Sequence, residues 1–232
     1  MVRDNVKAYI GLLIVIVLLF PAVSMAASLV VIDPGHGGND RGIPIAASLH
    51  EKDLTLEIAK NIGKAFKNDK NIEVLLTRPD DRDISLPERL AVSGKKKPDL
   101  FISLHVNAGF DRKASGFEVH YRGFGGSAEV PGEGKAIARD MVTNRALNES
   151  NRFGRIVLKH LDPLFPRGNR NLRETAMFLF EGPSIPAVLM ETGFATHPED
   201  RKRLQDHGTA EAIASAVSAA VREFFDESGA AK

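Results

Sequence analysis

One stretch decides the fold of this chain: Leu29-Val30-Val31-Ile32-Asp33-Pro34-Gly35-His36-Gly37-Gly38. A short run of aliphatic and β-branched residues that stops at an Asp-Pro-Gly sequence is typical of a strand followed by a tight turn. His36 is therefore expected just beyond the end of a first strand. The glycines around it would let a ligand approach the backbone closely, although a plain turn would use the same glycines.

Strand and helix patterns alternate after this stretch. Apolar residues recur at every fourth position from Leu54 to Phe66, which predicts an amphipathic helix. Pro87 marks the start of a second helix, and an apolar stripe from Ile213 to Phe225 predicts the last one. Further strands are predicted at Glu73–Thr77, Asp99–Val106, Gly116–Tyr121, Glu174–Phe180 and Ala187–Met190. This alternation predicts an α/β fold with a single open, mostly parallel, twisted sheet of about six strands and helices on both faces.

The amino-terminal segment has the pattern of an export signal. Arg3 and Lys7 precede the apolar run Ile10–Phe20, and small residues lead up to Ala26. An apolar run this short favours a cleaved signal over a membrane anchor. We predict a signal peptide over residues 1–26 and one folded domain over residues 27–232, exported to the periplasm or cell-wall space. The alternative is that the signal is not cleaved, in which case this segment would attach the protein to a membrane.

The composition excludes several classes of protein. Residues 1–26 hold Arg3, Asp4 and Lys7, so the 31 basic and 30 acidic residues of the whole chain become 29 of each in residues 27–232. This balance argues against a dedicated nucleic-acid binder, which normally has a basic excess. The chain has no cysteine, so disulfides and thiolate metal sites are excluded.

Four polar residues are expected to meet at one rim of the sheet, where ligands bind in open parallel α/β sheets. His36 follows the first strand, His105 ends an apolar strand and Glu191 ends the last one. Glu51 opens the first long helix. Two imidazoles and a carboxylate make an open Zn²⁺ site, and a further carboxylate can take the proton of a water molecule. Alone, Glu51 could serve only the helix dipole and Glu191 could face solvent, but the joint pattern favours a metal site.

Other polar residues nearby have two interpretations. Asp33 and Asn107 could support the ligand residues from behind, or they could serve the turns in which they lie. Seven Lys or Arg residues lie from Arg145 to Arg173, which favours a solvated helical face over a surface for an anionic polymer. Arg78 is expected to pair with an acidic neighbour such as Asp80, Asp81 or Asp83 rather than to contact substrate.

Several blocks together resemble the zinc-dependent N-acetylmuramoyl-L-alanine amidases of the type 3 amidase family. They follow the family order over nearly all of residues 27–232 and comprise Val31–Gly38, Glu51–Leu54, Leu76–Arg78, Phe101–Ala108 and Pro186–Pro198. The resemblance implies an open α/β catalytic domain, one Zn²⁺ and a peptidoglycan substrate. It implies zinc ligands at His36, Glu51 and His105. Glu191 is then the catalytic acid and base.

The implied reaction is hydrolysis of the amide bond between N-acetylmuramic acid and L-alanine in peptidoglycan, for cell-wall remodelling or daughter-cell separation. Asn107, Arg170 and Arg173 are expected to contact the substrate, the two arginines through carboxylates of the stem peptide. A zinc peptidase acting within the stem peptide and a non-catalytic peptidoglycan-binding regulator are alternatives on the same fold. The presence of both Glu51 and Glu191 favours the enzyme.

Some members of the family carry a helix that blocks the site until a protein activator removes it. Residues 122–171 are where such a helix would lie, although this stretch follows the family only loosely. A protein activator is therefore an expected partner beside peptidoglycan.

Overall fold

The computed structural model describes residues 27–123, 133–166, 169–176 and 185–230, but not the side chains of 133–139, 169–170 and 229–230. The signal peptide predicted over residues 1–26 lies outside the described residues. Within these ranges, no helix is both long enough and apolar enough to cross a membrane.

The described strands form a six-stranded sheet and a separate small hairpin. In chain order they are β1 (Ser28–Pro34), β2 (Pro44–Ala46), β3 (Leu49–His50), β4 (Ile72–Leu76), β5 (Leu100–Asn107), β6 (Gly116–Arg122), β7 (Asn169–Thr175) and β8 (Ala187–Phe194). The large sheet has the order β4-β1-β5-β8-β6-β7, and β2 pairs with β3. Neighbours in the large sheet are parallel except β6 and β8, so β6 and β7 run opposite to the other four strands. The predicted mostly parallel sheet of six strands is confirmed.

Three long helices cover one face of this sheet. The described α-helices, in chain order, are α1 (Glu51–Ala65), α2 (Leu86–Lys96), α3 (Glu133–Leu161), α4 (Pro198–Leu204) and α5 (Thr209–Ala230). The three long helices on this face are α1, α3 and α5. Helix α1 packs on β1, β4 and β5, α3 packs on β6, β7 and β8, and α5 contacts both helices. Their apolar side chains share one buried cluster with alternate strand residues such as Ile32, Leu104 and Met190.

The opposite face is joined to α2 by polar contacts. Asp33 points away from the three-helix layer, because side chains alternate along a strand and Ile32 points into that layer. The Asp33 carboxylate accepts hydrogen bonds from Thr77 Oγ1 (2.5 Å), Ser103 Oγ (2.8 Å) and Arg89 Nη1 of α2 (2.6 Å). Helices therefore flank both faces, as predicted.

Helix α3 accounts for most of the described part of residues 122–171. Phe153 and Val157 of this helix are buried against the sheet. On the other side of α3, Lys159 forms an ion pair with Glu223 of α5 at 2.8 Å. This pairing agrees with the interpretation of the basic stretch as a solvated helical face.

Strand β7 begins earlier than predicted. The sequence indicated a strand over Glu174–Phe180, whereas β7 pairs with β6 residue for residue from Asn169 to Thr175. The early part of β7 was missed because Leu172 is its one apolar residue, and a single apolar residue in a polar run carries little strand signal. Leu172 packs against the core, and this contact fixes which side of β7 faces the helices. Residues 177–180 lie outside the described ranges.

Candidate metal and catalytic site

His36 lies in the turn after β1 and has a left-handed backbone conformation, with φ at 59°. For a residue with a Cβ this conformation costs about 1–2 kcal/mol, so the surrounding contacts must hold it. Arg89 donates to the His36 carbonyl at 2.6 Å. His36 Nδ1 is hydrogen-bonded to Asp40 Oδ2 at 2.8 Å, which leaves Nε2 facing Glu51 Oε1 at 3.1 Å.

Glu51 is the first residue of α1, and its side chain is 1% exposed. Its Oε1 accepts a hydrogen bond from the Val106 amide (2.9 Å), and its Oε2 accepts one from the Ile43 amide (3.0 Å). Burial would raise the pKa of this carboxyl, but hydrogen bonds from His105 and His36 outweigh it and lower the pKa to about 2. The same hydrogen bond to Glu51 outweighs burial of the imidazole and raises the pKa of His36 to about 9.

His36, Glu51 and His105 form a group that could hold a metal ion. One donor atom of each lies within 4.8 Å of the others. His105 Nδ1 is 2.9 Å from Glu51 Oε1, and the two imidazole rings are 5.1 Å apart at an angle of 81°. A Cβ at Gly35 would lie 2.7 Å from His105 Nδ1, and one at Gly42 would lie 2.6 Å from Glu51 Oε2. These two glycines therefore allow the backbone to pass close behind the donor groups.

Glu191 lies beside this group on the neighbouring strand, as the register partner of His105. Its Oε2 is buried and has no hydrogen-bond partner among the described residues. Burial raises the pKa of the Glu191 carboxyl to about 7, helped by the charges of Glu51 and Glu118 and opposed by the two histidines. A carboxyl with a pKa near neutral can both accept and return a proton.

A row of polar residues crosses the sheet on one face. Its members are successive register partners on β5, β8, β6 and β7, namely His105, Glu191, Glu118 and Asn171. Register partners project to the same face. Their chain neighbours Leu104 and Met190 lie in the core under the three long helices, so the row lies on the opposite face. The described side chains of α3 are thus on the far side of the sheet and do not block this face. Residues 124–132 and 167–168 of the stretch 122–171 lie outside the described residues.

Glu118 is the residue of this site that sequence reasoning missed. It is 8% exposed and accepts hydrogen bonds from Asn107 Nδ2 (3.4 Å), Asn171 Nδ2 (2.9 Å) and Arg173 Nε (2.9 Å). A signal for it was present, because apolar and polar residues alternate along Gly116–Arg122. That alternation places a carboxylate on the face of the strand away from the core.

The other residues predicted for the site are distributed differently. Asn107 and Arg173 both contact Glu118, whereas the side chain of Arg170 lies outside the described residues. Asp33 does not touch an imidazole in the described contacts. It binds Arg89, which supports the turn of His36 from behind.

The prediction of an acidic side chain as hydrogen-bond partner of Arg78 is wrong. This residue is 0% exposed and donates to the backbone carbonyls of Pro34 (3.0 Å), Gly35 (2.8 Å) and Lys52 (2.9 Å). Its contact with the acidic neighbour Asp80 is also through the backbone carbonyl, at 3.2 Å. The planar fork of a guanidinium carries five N–H donors, so it can bind several carbonyl groups at once. Arg78 therefore ties the turn after β1 to the first turn of α1.

Comparison with known proteins identifies relatives along nearly the whole described chain. Residues 30–223 match the Amidase_3 family model, which describes N-acetylmuramoyl-L-alanine amidases. The N-acetylmuramoyl-L-alanine amidase AmiA of Escherichia coli is 31% identical over 219 residues, which cover 84% of this chain and 75% of AmiA. AmiA of Salmonella typhimurium is 32% identical, with coverage of 85% and 76%. The chain spans 52% of the longer AmiC of Escherichia coli, at 28% identity.

Solved structures share the fold. The N-acetylmuramoyl-L-alanine amidase of Clostridium difficile has a TM-score of 0.67 at 26% identity and covers 87% of this chain and 98% of its own. AmiC2 of Nostoc punctiforme has a TM-score of 0.65 at 28% identity, with coverage of 86% and 97%. CwlD of Clostridioides difficile, solved with the GerS lipoprotein, has a TM-score of 0.69 at 22% identity, with coverage of 86% and 98%, which shows the fold alone. The relatives named here are all amidases, so the alternatives of a stem-peptide peptidase and a non-catalytic binder gain no support.

Proposed function

The chain belongs to the N-acetylmuramoyl-L-alanine amidase family and has its peptidoglycan amidase activity, and on this basis we propose that His36, Glu51 and His105 hold one Zn²⁺. Two imidazoles and one carboxylate are a typical ligand set of catalytic zinc sites, which keep a further position open. The donor atoms lie within 4.8 Å of one another, and the ionised Glu51 supplies negative charge to a divalent cation. The residues therefore fit the metal.

Glu191 is the proposed proton carrier of the reaction. Zn²⁺ in such a site supplies Lewis-acid catalysis, polarising a carbonyl and acidifying water. Glu191 accepts a proton from the attacking water while the water oxygen bonds to the lactyl carbonyl carbon. It returns the proton to the L-alanine nitrogen as the carbon–nitrogen bond breaks. The products are a lactyl carboxylate and a stem peptide with a free amino group.

One observation supports this assignment above the others. Glu191 Oε2 is buried without a partner among the described residues, directly across the strand pair from His105. An unpartnered buried carboxyl oxygen is costly in a structural role. It is well suited to a residue that must bind and release a proton during each turnover.

The proposal also includes finer features of the function, which family membership suggests. Asn107, Arg170 and Arg173 contact the substrate, and the enzyme is exported and acts in cell-wall remodelling or daughter-cell separation. The structure of CwlD with the GerS lipoprotein supports the expectation that a domain of this fold can engage a protein partner.

The test combines metal analysis with identification of the products from defined muropeptides. We expect about one zinc per chain, loss of activity with a chelator and recovery when Zn²⁺ is returned. Glu191→Gln should keep its zinc and lose about 10²–10⁴-fold in kcat, the usual contribution of an acid–base group. Glu223→Gln is a matched control, because this carboxylate pairs with Lys159 and His160 in the helical layer. Activity that persists without zinc, or in Glu191→Gln, would refute the mechanism.

A further inference from the structure

Glu118 is a buried carboxylate beside Glu191, and the mechanism proposed above does not use it. Two neighbouring carboxylates disfavour each other's ionisation, so a second one needs compensating donors. Three side chains donate to Glu118, namely Asn107, Asn171 and Arg173, and His120 Nε2 on the same strand lies 3.5 Å from its Oε2. These donors come from β5 and β7, on either side of the strand pair that carries the two acids. Glu118 thus gathers side chains from β5 and β7 at its own position on β6.

The guanidinium group of Arg173 is hydrogen-bonded along one edge, while its other edge is available to a ligand. Its Nε and Nη2 lie 2.9 Å and 2.8 Å from Glu118 Oε1. Its side chain is nevertheless 53% exposed, and Nη1 has no hydrogen-bond partner among the described residues. A guanidinium fixed in this way presents a directed donor edge to solvent, with little of its rotational freedom left to lose on binding.

The distance between Arg173 and Glu191 can be spanned by a short extended peptide. Arg173 is on β7, two strands away from Glu191 on β8. Two strand spacings and an offset of two residues along the strand separate the backbones of Arg173 and Glu191 by about 12 Å, which is roughly the length of three to four extended residues. A stem peptide that leaves the scissile amide over β6 and β7 would bring its second or third residue to Arg173.

The chemistry of peptidoglycan identifies the group that Arg173 can bind. The carboxylate of muramic acid is consumed in the scissile amide, so the carboxylates near the reaction centre belong to the stem peptide. Guanidinium groups match carboxylates in shape and charge. We propose that Glu118 is a positioning residue that fixes Arg173 so that its open edge binds a carboxylate of the stem peptide. This inference rests on the amidase function proposed above.

The experiment compares two forms of one peptide. The tripeptide L-Ala-γ-D-Glu-L-Lys is prepared with free carboxylates and with both converted to carboxamides, and calorimetry gives the Kd of each form with the zinc-loaded protein. We expect the wild type to prefer the acid by about five- to tenfold, as for one charge-assisted contact. Arg173→Ala and Glu118→Ala should both bring this ratio close to one, and the double variant should lower it no further. Arg155→Ala, an exposed arginine bonded to Asn151 on α3, should keep the wild-type ratio.

The ratio is measured within one protein preparation, so a partly unfolded variant does not change it. If Glu118→Ala fails to fold, Glu118→Gln replaces it with the same expected loss, because a neutral amide no longer attracts the guanidinium. On muropeptides, Glu118→Ala should raise KM for the acid substrate alone.

A wild-type ratio near one would overturn the carboxylate contact. A ratio that survives in Glu118→Ala but is lost in Arg173→Ala would overturn the positioning role. Failure of zinc-dependent turnover would count against the proposed function and would leave the binding ratio readable.

Discussion

At the scale of single residues, the candidate metal group places two partly exposed imidazoles around one buried carboxylate. Glu51 stays ionised although it is 1% exposed, because both imidazoles face the same oxygen atom. His36 holds its proton for the same reason, since the hydrogen bond to Glu51 raises its pKa to about 9. Residue types and the predicted strand and helix boundaries were enough to propose His36, Glu51, His105 and Glu191. Their protonation states were not predictable, because they depend on distances of a few ångströms between residues far apart in the chain.

Zinc affinity should therefore depend on pH through His36. Zn²⁺ must displace the proton of this imidazole, so affinity should rise with pH by about tenfold per unit from pH 6.5 up to the pKa of about 9. Glu51 adds no slope there, because its pKa is about 2. Competition with a chromophoric chelator at several pH values measures the slope. Asp40→Asn removes a carboxylate that raises the pKa of His36, so its slope should flatten at lower pH. A wild-type affinity that levels off just above pH 6.5 would contradict the prediction.

At the scale of elements, the turn after β1 and the first turn of α1 behave as one unit. Lys52 of α1 donates to the Gly38 carbonyl (2.8 Å) and to Asp81 (2.6 Å), while Asp81 also accepts from the Gly38 amide (2.8 Å). The strand, the turn and the helix were each predictable from local patterns. The contacts of Asp81 with Gly38 and Lys52 were not predictable, because these residues are distant in sequence and meet only when β1 and β4 pair.

Gly42→Ala should damage this unit. Gly42 has a φ of +62°, and a Cβ there would lie 2.6 Å from both Glu51 Oε2 and His36 Cδ2. We expect a loss of about 1–3 kcal/mol in the free energy of unfolding and weaker zinc binding, measured by urea unfolding and chelator competition. Gly94→Ala is the control, because nothing lies within 4 Å of its Cβ position in α2. That change should stabilise the protein by up to about 1 kcal/mol. Equal effects of the two changes would show that the turn does not require glycine.

At the scale of the whole molecule, the sheet separates the core from the chemistry. The three-helix layer and its apolar cluster lie on one face, and the row from His105 to Asn171 lies on the other. Large losses of packing in the helical layer should therefore lower stability without altering the site. The reversed direction of β6 and β7 also matters, because it places Glu118 next to Glu191.

Phe153→Ala tests this separation. Phe153 is 0% exposed and its ring lies 5.3 Å from that of Phe224. The cavity should cost about 3–5 kcal/mol of unfolding free energy, while zinc affinity and kcat of the folded protein stay at wild-type values. Urea unfolding and assays at low temperature measure the two effects. Met141→Ala, at a position 68% exposed, should change stability by less than about 0.5 kcal/mol. A drop in kcat of folded Phe153→Ala would show that the two faces are coupled.

The sequence by itself determined the alternation of strands and helices and the α/β class, and it was enough to propose the four central residues. These features depend on local periodicity and on chemically distinctive residues in or just after apolar strand patterns, both of which are present in the order of the amino acids. Tertiary structure alone decided that Glu118 joins the site, that Arg173 is held by it and that Arg78 binds carbonyl groups. Those contacts depend on the register between strands remote in the chain. That register is set by how the apolar side chains of the strands pack together under the helices, which no local pattern specifies.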